Sequence, residues 1–437
     1  MRHKLLILIV LIAMPGIGHA QKLTLADCVN TALENNPVMR ITRENIEKSK
    51  AAIDEATALG MPKLSIQGVY TRVDKVPTAD FNGNVVELGT QDSRTADLVL
   101  TQPIDVFSIV KTGRRVAKMT KSTAQYDLDQ TTNDVSLNTK IAFLNVLREQ
   151  KKLYVAQGAV QVLDAHLKEA QLHYQAGTIA KFDVLRAETE LANAQPGLIQ
   201  AQNNVELAKS GLNNLMGRPV TTLVELVEPE DPGCPKFELA EVSDAASRWR
   251  PEILKATTQV SAADQMRKIA SLSGKPRFNL QWDYNRNFDA TIFNPRESSW
   301  RAYLTTSISV FDGGATRAAV DKASSDAANA RSLQDQMLQA VALDAQQSYL
   351  SLNESQSRIQ AAEKGLQQAR EAMRLAQVRY QGGLSTQLEV LDARAALTLA
   401  ETNHVNATYD YQIALARLER AVGGKEQFAS LLATETR

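Results

Sequence analysis

Apolar residues fall at alternating intervals of three and four over two long stretches: Leu153, Ala156, Val160, Leu163, Leu167, Ala170 and Tyr174, then Ile359, Ala362, Leu366, Ala369, Met373, Ala376 and Tyr380. That spacing draws one stripe along a helix, and its alanine layers allow a second helix to approach closely. The pattern resumes beyond Gly177 at Leu191, Ala194, Leu198, Ala201, Val205, Ala208, Leu212 and Leu215. Beyond Gly383 it resumes at Leu397, Ala400, His404, Ala407, Tyr411, Ala414, Leu418 and Ala421. Each copy predicts a long antiparallel helical hairpin that turns near 177–183 or 383–389. Pro196-Gly197 predicts a kink in the first returning helix, because proline removes an internal hydrogen bond.

A different period, of two, occupies the segments ahead of the long helices. Phe278, Leu280, Trp282 and Tyr284 alternate with Asn279, Gln281, Asp283 and Asn285, and Trp300, Ala302, Leu304, Thr306, Ile308 and Val310 alternate with mostly polar neighbours. The first copy is weaker, with Leu64, Ile66 and Tyr70 in one strand and Ala96, Leu98, Leu100 and Ile104 in the other. One face is apolar and tipped by aromatics; the other is wet. Strands of about ten residues with this alternation match the staves of a membrane β-barrel. They match equally a sheet packed on a soluble core. Four strands cannot close a barrel, and an open edge in lipid is prohibitively costly. If the strands are staves, the chain oligomerises: two chains supply eight strands, three supply twelve.

The two patterns belong to an internal duplication. Asn36-Pro37 recurs as Arg250-Pro251 and Met61-Pro62 as Lys275-Pro276, at an offset of 214. Later the offset is 206: Tyr174-Gln175-Ala176-Gly177 matches Tyr380-Gln381-Gly382-Gly383, and Leu212 to Gly217 matches Leu418 to Gly423. The first copy therefore carries a longer insertion between Pro62 and its long helix. The expected organisation is a leader at 1–20, a first repeat at 21–227 with strands near 63–73 and 94–104, and a joint at 228–236. A second repeat at 237–424 has strands near 277–288 and 298–310, and a tail covers 425–437. The joint, Glu228-Pro229-Glu230-Asp231-Pro232-Gly233-Cys234-Pro235, is unsuited to helix or central strand. Three helices are expected in the first repeat: one from about Leu25 to Leu59, one from about Phe107 to Ala176, and one from about Thr178 to Met216. The longest has some 70 residues, or about 105 Å at 1.5 Å per residue.

Composition narrows the class. Hydrophobic residues make up 44% of the 437 but aromatics only 5%, and 49 basic residues cancel 49 acidic ones. Such a balance lacks the basic excess of a nucleic-acid coat. Arg2 and Lys4 precede an apolar run from Leu5 to Met14, and Gly18-His19-Ala20 offers a small-residue cleavage site, so 1–20 reads as an export signal. The run is too short to span a bilayer, and no later segment approaches the ~20 apolar residues a spanning helix needs. Cys28 and Cys234 then face an oxidising compartment, where a bridge or two unpaired thiols are both open. Of the exported histidines, His166 and His173 lie about 10.5 Å apart along a helix, too far to chelate one ion. His404 occupies the seam position that Leu198 holds in the first copy. There is no Cys-x-x-Cys, Gly-x-Ser-x-Gly, phosphate-cradling glycine loop or His-Glu-x-x-His, which disfavours an enzyme and calls for no cofactor or metal.

In this duplicated frame the chain resembles outer-membrane efflux proteins of the TolC family. The resemblance rests on Leu23-Thr24-Leu25-Ala26 with Asn35-Asn36-Pro37, on the strand exits Gln102-Pro103-Ile104 and Val310-Phe311-Asp312-Gly313-Gly314, and on both tyrosine-glycine tips. It implies a mainly α chain with a transmembrane β part, assembled as a homotrimer whose 12-stranded barrel continues into a periplasmic α-helical barrel. It further implies an outer-membrane location, contact with lipid, and a passive exit duct for efflux or type I secretion. The implied partners are a periplasmic adaptor and an inner-membrane pump or exporter. The tips would be the adaptor-docking and gating end, with Gly177, Thr178, Gly383, Leu384 and Ser385 as docking positions. Glu389 and Asp392 match acidic rings at the aperture, and Asp183 with Tyr380 matches a closing contact. Where some members carry an arginine latch, this chain has Ser385.

Two other classes make different demands. A soluble periplasmic coiled-coil scaffold or adaptor needs no barrel and no detergent, and an envelope hydrolase needs a catalytic constellation. The strand alternation favours the duct.

Overall fold

A computed structural model describes residues 22–230, 233–289 and 297–435. The export signal expected at 1–20 lies outside the described residues. The elements run β1 (Lys22–Leu23), α1 (Leu25–Asn35), α2 (Pro37–Ala58), β2 (Lys63–Arg72), β3 (Thr78–Phe81), β4 (Asn84–Glu87), β5 (Asp92–Ile104), α3 (Ile109–Gln175) and α4 (Lys181–Leu215). They continue with β6 (Glu225–Leu226), α5 (Leu239–Trp249), α6 (Pro251–Leu272), β7 (Arg277–Asn287), β8 (Ser298–Ser307), α7 (Ala315–Gln381), α8 (Gln387–Ala421) and α9 (Lys425–Glu435). The helix expected over Leu25–Leu59 is broken at Asn36, because the residue before a proline is driven out of the helical region. Asn36 uses its side chain twice at this break: Oδ1 accepts from Val38 N–H at 2.8 Å and Nδ2 donates to the Leu215 carbonyl at 2.9 Å. In contrast, α4 continues as one helix through Pro196, and its residues Val184, Ala187, Val205 and Leu212 are buried.

The described residues divide into two compact units, one drawn from those within 22–39, 132–242 and 345–435, the other from those within 40–131 and 243–344. The second unit holds a four-stranded antiparallel sheet in the order β2-β5-β7-β8. Its register places Leu64, Leu100, Trp282 and Ala302 in one cross-strand row, and Ile66, Leu98, Tyr284 and Trp300 in the next such row. The intervening rows are polar: Ser65, Val99, Asp283, Arg301, then Gln67, Asp97, Asn285, Ser299. Because partners in a row share a face, the sheet has one apolar and one polar side. The apolar side is bare, with Ile66 78% and Trp300 70% exposed. On the polar side Asp283 is buried and accepts from Gln281 Nε2, Arg301 Nε and Tyr303 OH at 2.9–3.0 Å.

Residues 73–91, between β2 and β5, carry the β3–β4 hairpin, whose Asn82-Gly83 turn has both residues at positive φ. This hairpin is the insertion that distinguishes the first copy, for β7 and β8 are joined by the shorter segment 288–297. β8 ends at Ser307, earlier than the alternation through Val310 suggested. Both strand exits use an aspartate to start a long helix. Asp105 Oδ1 and Oδ2 accept from the N–H groups of Ile109 (2.6 Å) and Lys111 (3.0 Å). Asp312 Oδ1 and Oδ2 accept from those of Gly314 (3.0 Å) and Thr316 (2.8 Å). Thr316 and Gly314 hold the Asp312 carboxyl below its ordinary pKa, as a carboxylate at a helix N-terminus requires.

In the same unit Arg250 is 4% exposed where the first copy has Asn36. Its Nη2 and Nε donate to the buried Glu252 carboxylate at 2.7 and 3.2 Å, and Nη1 donates to Asp344.

In the first unit the seams pack as their spacing implies. Leu366 and Met373 of α7 cluster with Val390 and Leu397 of α8, flanked by Ala369, Ala376, Tyr380, Ala393 and Ala400. Ala170, Val184 and Ala187 do the same between α3 and α4. The joint is strapped down: Lys151 pairs with Glu228 at 2.8 Å, and Tyr411 OH donates to the Gly233 carbonyl at 2.8 Å. β1 pairs in parallel with β6 just ahead of it, Lys22 opposite Glu225 and Leu23 opposite Leu226. Residues 425–435 are helical rather than a loose tail, and Phe428 packs on Phe237 with ring centroids 5.5 Å apart.

No bridge joins the cysteines: both are free, Cys28 buried in α1 and Cys234 exposed within the joint. Burial pushes the Cys28 thiol up to about 11, so at neutral pH it stays protonated and inert. A thiol reagent at pH 8 is expected to label Cys234 on the folded protein and Cys28 only after denaturation. Truncating Arg250 to alanine leaves buried carboxylate charge poorly compensated and is expected to cost about 3–5 kcal/mol. The double change Arg250→Met with Glu252→Leu should lose less, and thermal unfolding of the two variants compares them.

Candidate functional site

The two hairpin tips are built by one device. At the first, Gly177 has φ +72°, its N–H donates to the Tyr174 carbonyl at 2.9 Å, and Thr178 N–H donates to the His173 carbonyl at 2.9 Å. At the second, Gly383 has φ +70°, its N–H donates to the Tyr380 carbonyl at 3.0 Å, and Leu384 N–H donates to the Arg379 carbonyl at 2.8 Å. This paired closure needs a left-handed residue after the helix, which glycine adopts without a Cβ penalty. The returning helices then start from extended Ala180 and Thr386, whose carbonyls accept from Asp183 and Glu389 N–H at 3.1 Å.

Side chains complete the two tips differently. Asp183 Oδ2 accepts from Ala180 N–H at 3.2 Å, so this carboxylate caps its own helix. Thr178 Oγ1 donates to the His173 carbonyl at 2.9 Å and lies 3.2 Å from His173 Nδ1. At the second tip Arg379, the duplicate of His173, reaches across: Nη2 lies 3.7 Å from Glu389 Oε2 and 3.4 Å from the Leu384 carbonyl. Glu389 is thus paired within its own hairpin, whereas Asp392, one turn on, is exposed and has no ion-pair partner among the described residues. Ser385 is half-buried, and its Oγ has no hydrogen-bond partner among the described residues. Phe182 and Leu384 are bare, at 69% and 74% exposure, which leaves an apolar side chain on each tip.

Tyr380 sits where the elements of this end meet. Its ring makes an edge contact with His166 of α3 at 6.1 Å between centroids. Burial and the carboxylates of Glu169 and Asp183 raise its phenol above the ordinary range, so it remains a neutral donor. Asp183 therefore acts on Tyr380 through its field, and no hydrogen bond joins the pair among the described residues. His166 Nε2 lies 2.8 Å from Gln387 Nε2 at the start of α8. These contacts surround a cleft of about 160 Å³ that Glu169 and Arg394 also line.

Sequence reasoning missed Arg379, Arg394 and Gln387, and weighed His166 only as a metal ligand. Arg379 was within reach, since the offset of 206 places it on His173, at the helix position facing back over the turn. The cleft joins residues more than 200 positions apart and left no local pattern. Among the described residues no group of acidic, histidine and cysteine side chains is placed to hold a metal ion. No described helix is long and apolar enough to cross a membrane.

A sequence profile of the Outer membrane efflux protein family matches residues 28–218 and 242–424. The chain belongs to that family. It is an outer-membrane channel of the efflux and secretion class, and the family's members are channels rather than enzymes. Among its relatives, Outer membrane protein TolC of Escherichia coli K12 is 23% identical, the alignment covering 96% of this chain and 86% of that one. The alkaline protease secretion protein AprF of Pseudomonas aeruginosa is also 23% identical, over 92% and 84%. The Campylobacter jejuni CmeC outer membrane channel shares the fold with a TM-score of 0.82 at 17% identity, covering 94% of this chain and 89% of that one.

Because the positive φ at Gly383 is intrinsic to the turn and a Cβ there meets nothing within 4 Å, Gly383→Ala should cost only its left-handed backbone penalty, roughly 1–2 kcal/mol. Amide exchange across 380–390 is expected to accelerate, while the global unfolding temperature falls only slightly, by about 1–3 °C for a chain of this size.

Proposed function

We propose that three copies of this chain complete a closed channel, with β2-β5-β7-β8 from each forming a 12-stranded barrel and the tips forming its periplasmic aperture. The observation that carries this reading is the sheet itself. It presents a bare apolar face, a hydrogen-bonded polar face, and two outer strands, β2 and β8, paired on one side only. In lipid such edges leave backbone groups unsatisfied at several kcal/mol each, and only closure removes them. Each β8 then pairs with the β2 of a neighbouring copy, which puts the Asp283 and Asp97 rows in the lumen and the Trp300 and Ile66 row against acyl chains.

Transport through such a duct is passive. The chain supplies a water-filled path, and the driving force and cargo choice belong to an inner-membrane pump or exporter reached through a periplasmic adaptor. The bare Phe182 and Leu384, with the backbone around Gly177, Thr178, Gly383, Leu384 and Ser385, are the surface we assign to that adaptor. A helical hairpin end with an exposed apolar residue suits docking between helices.

At the aperture Asp183, Tyr380, Ser385, Glu389 and Asp392 take unequal parts. Asp183 caps α4 and biases Tyr380, while Ser385 contributes no charge. Arg379 neutralises Glu389 in each protomer, so the uncompensated ring is that of Asp392, three carboxylates around the threefold axis. A ring of this kind favours cations.

The test is the conductance of the detergent-extracted oligomer in planar bilayers under a KCl gradient. Asp392→Asn is expected to lower cation preference clearly, whereas removing both members of the pair together, Glu389→Gln with Arg379→Gln, is expected to change it little. Arg379→Ala, by freeing Glu389, is expected to raise it. A protein that is soluble without detergent and never conducts would replace the duct with a periplasmic scaffold.

A further inference from the structure

The His166 cleft sits at the end of the molecule where the aperture is placed, and its chemistry is unlike that of a charged latch. Its wall on α3 carries His166 and Glu169, on α7 Gln377 and Tyr380, and on α8 Val390 and Arg394. His166 ties hairpins of the two repeats together, through the edge contact with Tyr380 and the 2.8 Å contact with Gln387. An amide nitrogen only donates, so in this arrangement Nε2 accepts and the ring is neutral, with its proton on Nδ1. Gln387 can turn its amide and offer oxygen instead, so that bond alone does not fix the protonation state.

The surroundings do. The ring is half-buried against Tyr380, which is itself held neutral. The charged groups facing it from the packed elements are Glu169 on its own helix and the Arg394 guanidinium on α8, whose Nε is buried without a hydrogen-bond partner among the described residues. Asp183 of α4 reaches the junction through its field on Tyr380. A second positive charge in this cleft would sit beside the Arg394 guanidinium, with Glu169 the one carboxylate lining the cleft among the described residues and Asp183 acting from outside it.

We propose that His166 is the positioning residue that holds the tip of the second hairpin against α3, and that its protonation releases that tip and opens the aperture. The inference rests on the tips being the aperture. Burial lowers the pKa of the packed ring from its usual value, and the nearby Glu169 restores part of the shift. For a group whose packed-state pKa is depressed, the contact is at full strength above about pH 6.5 and is lost as pH falls through the lower, packed-state value. Acid therefore favours release, by up to about tenfold per protomer for each unit by which packed and released rings differ.

The experiment is single-channel recording on the full-length reconstituted oligomer as the solution on the tip side is stepped from pH 8 to pH 5.5. The variants are His166→Gln, His166→Arg, and His173→Gln as a control for the exposed tip histidine. Wild type and His173→Gln are expected to show a several-fold rise in open probability on acidification. His166→Gln should be flat, and His166→Arg should be open already at pH 8. An acid response in His166→Gln equal to that of wild type overturns the inference while leaving the duct intact. Absence of conductance from wild type at every pH overturns the duct instead. If His166→Gln fails to assemble, Gln387→Ala decides the matter: raised opening at pH 8 supports the latch, and wild-type gating there overturns it.

Discussion

Everything in this chain is arranged around a sheet that cannot be finished by one copy. Hydrogen bonds pair β5 and β7 on both sides, but β2 and β8 each keep one unpaired edge. In water an edge is an aggregation risk; in lipid it is untenable. The alternating rows fix which side meets hydrocarbon, and one-residue slippage in any strand would turn all its side chains to the wrong side. The long helices inherit this constraint, because they begin a few residues after β5 and β8 and are started by Asp105 and Asp312. Whatever angle the strands adopt on closure is handed to the helices through a capped, hydrogen-bonded corner rather than a loose loop.

Much of this was legible from residue spacing alone. The three-four seams identified the helical hairpins because small residues at Ala170, Ala369 and Ala376 leave the same imprint in sequence as in packing. The period of two identified β5, β7 and β8 for the same reason. What the pattern did not carry were features settled by one local rule or by one distant partner. Asn36 ends a helix that periodicity carries straight on, since Pro37 outweighs the stripe. The β3–β4 hairpin is too short to show a period. At the tips, both glycines could be read off the duplication, yet the pairing of Arg379 with Glu389 is a tertiary fact, and it changes which carboxylate is left uncompensated.

The duplication has been kept in backbone and spent in side chains. Asn36 and Arg250 occupy matching helix breaks; one bonds a carbonyl, the other neutralises two acids. A backbone closure is satisfied by geometry, so it survives divergence. A side-chain tie depends on the identity of both ends, so it does not.

The unlike ties at the two tips have a consequence for how the ends of the hairpins respond to their medium. His173 and Thr178 are joined by a short-range contact that pairs no opposite charges, whereas Arg379 and Glu389 face each other across 3.7 Å with both side chains about half exposed. Mobile ions weaken the second kind of contact and leave the first nearly untouched. The two tips of one protomer therefore stiffen and soften independently, one sensing the salt concentration of its surroundings and the other ignoring it.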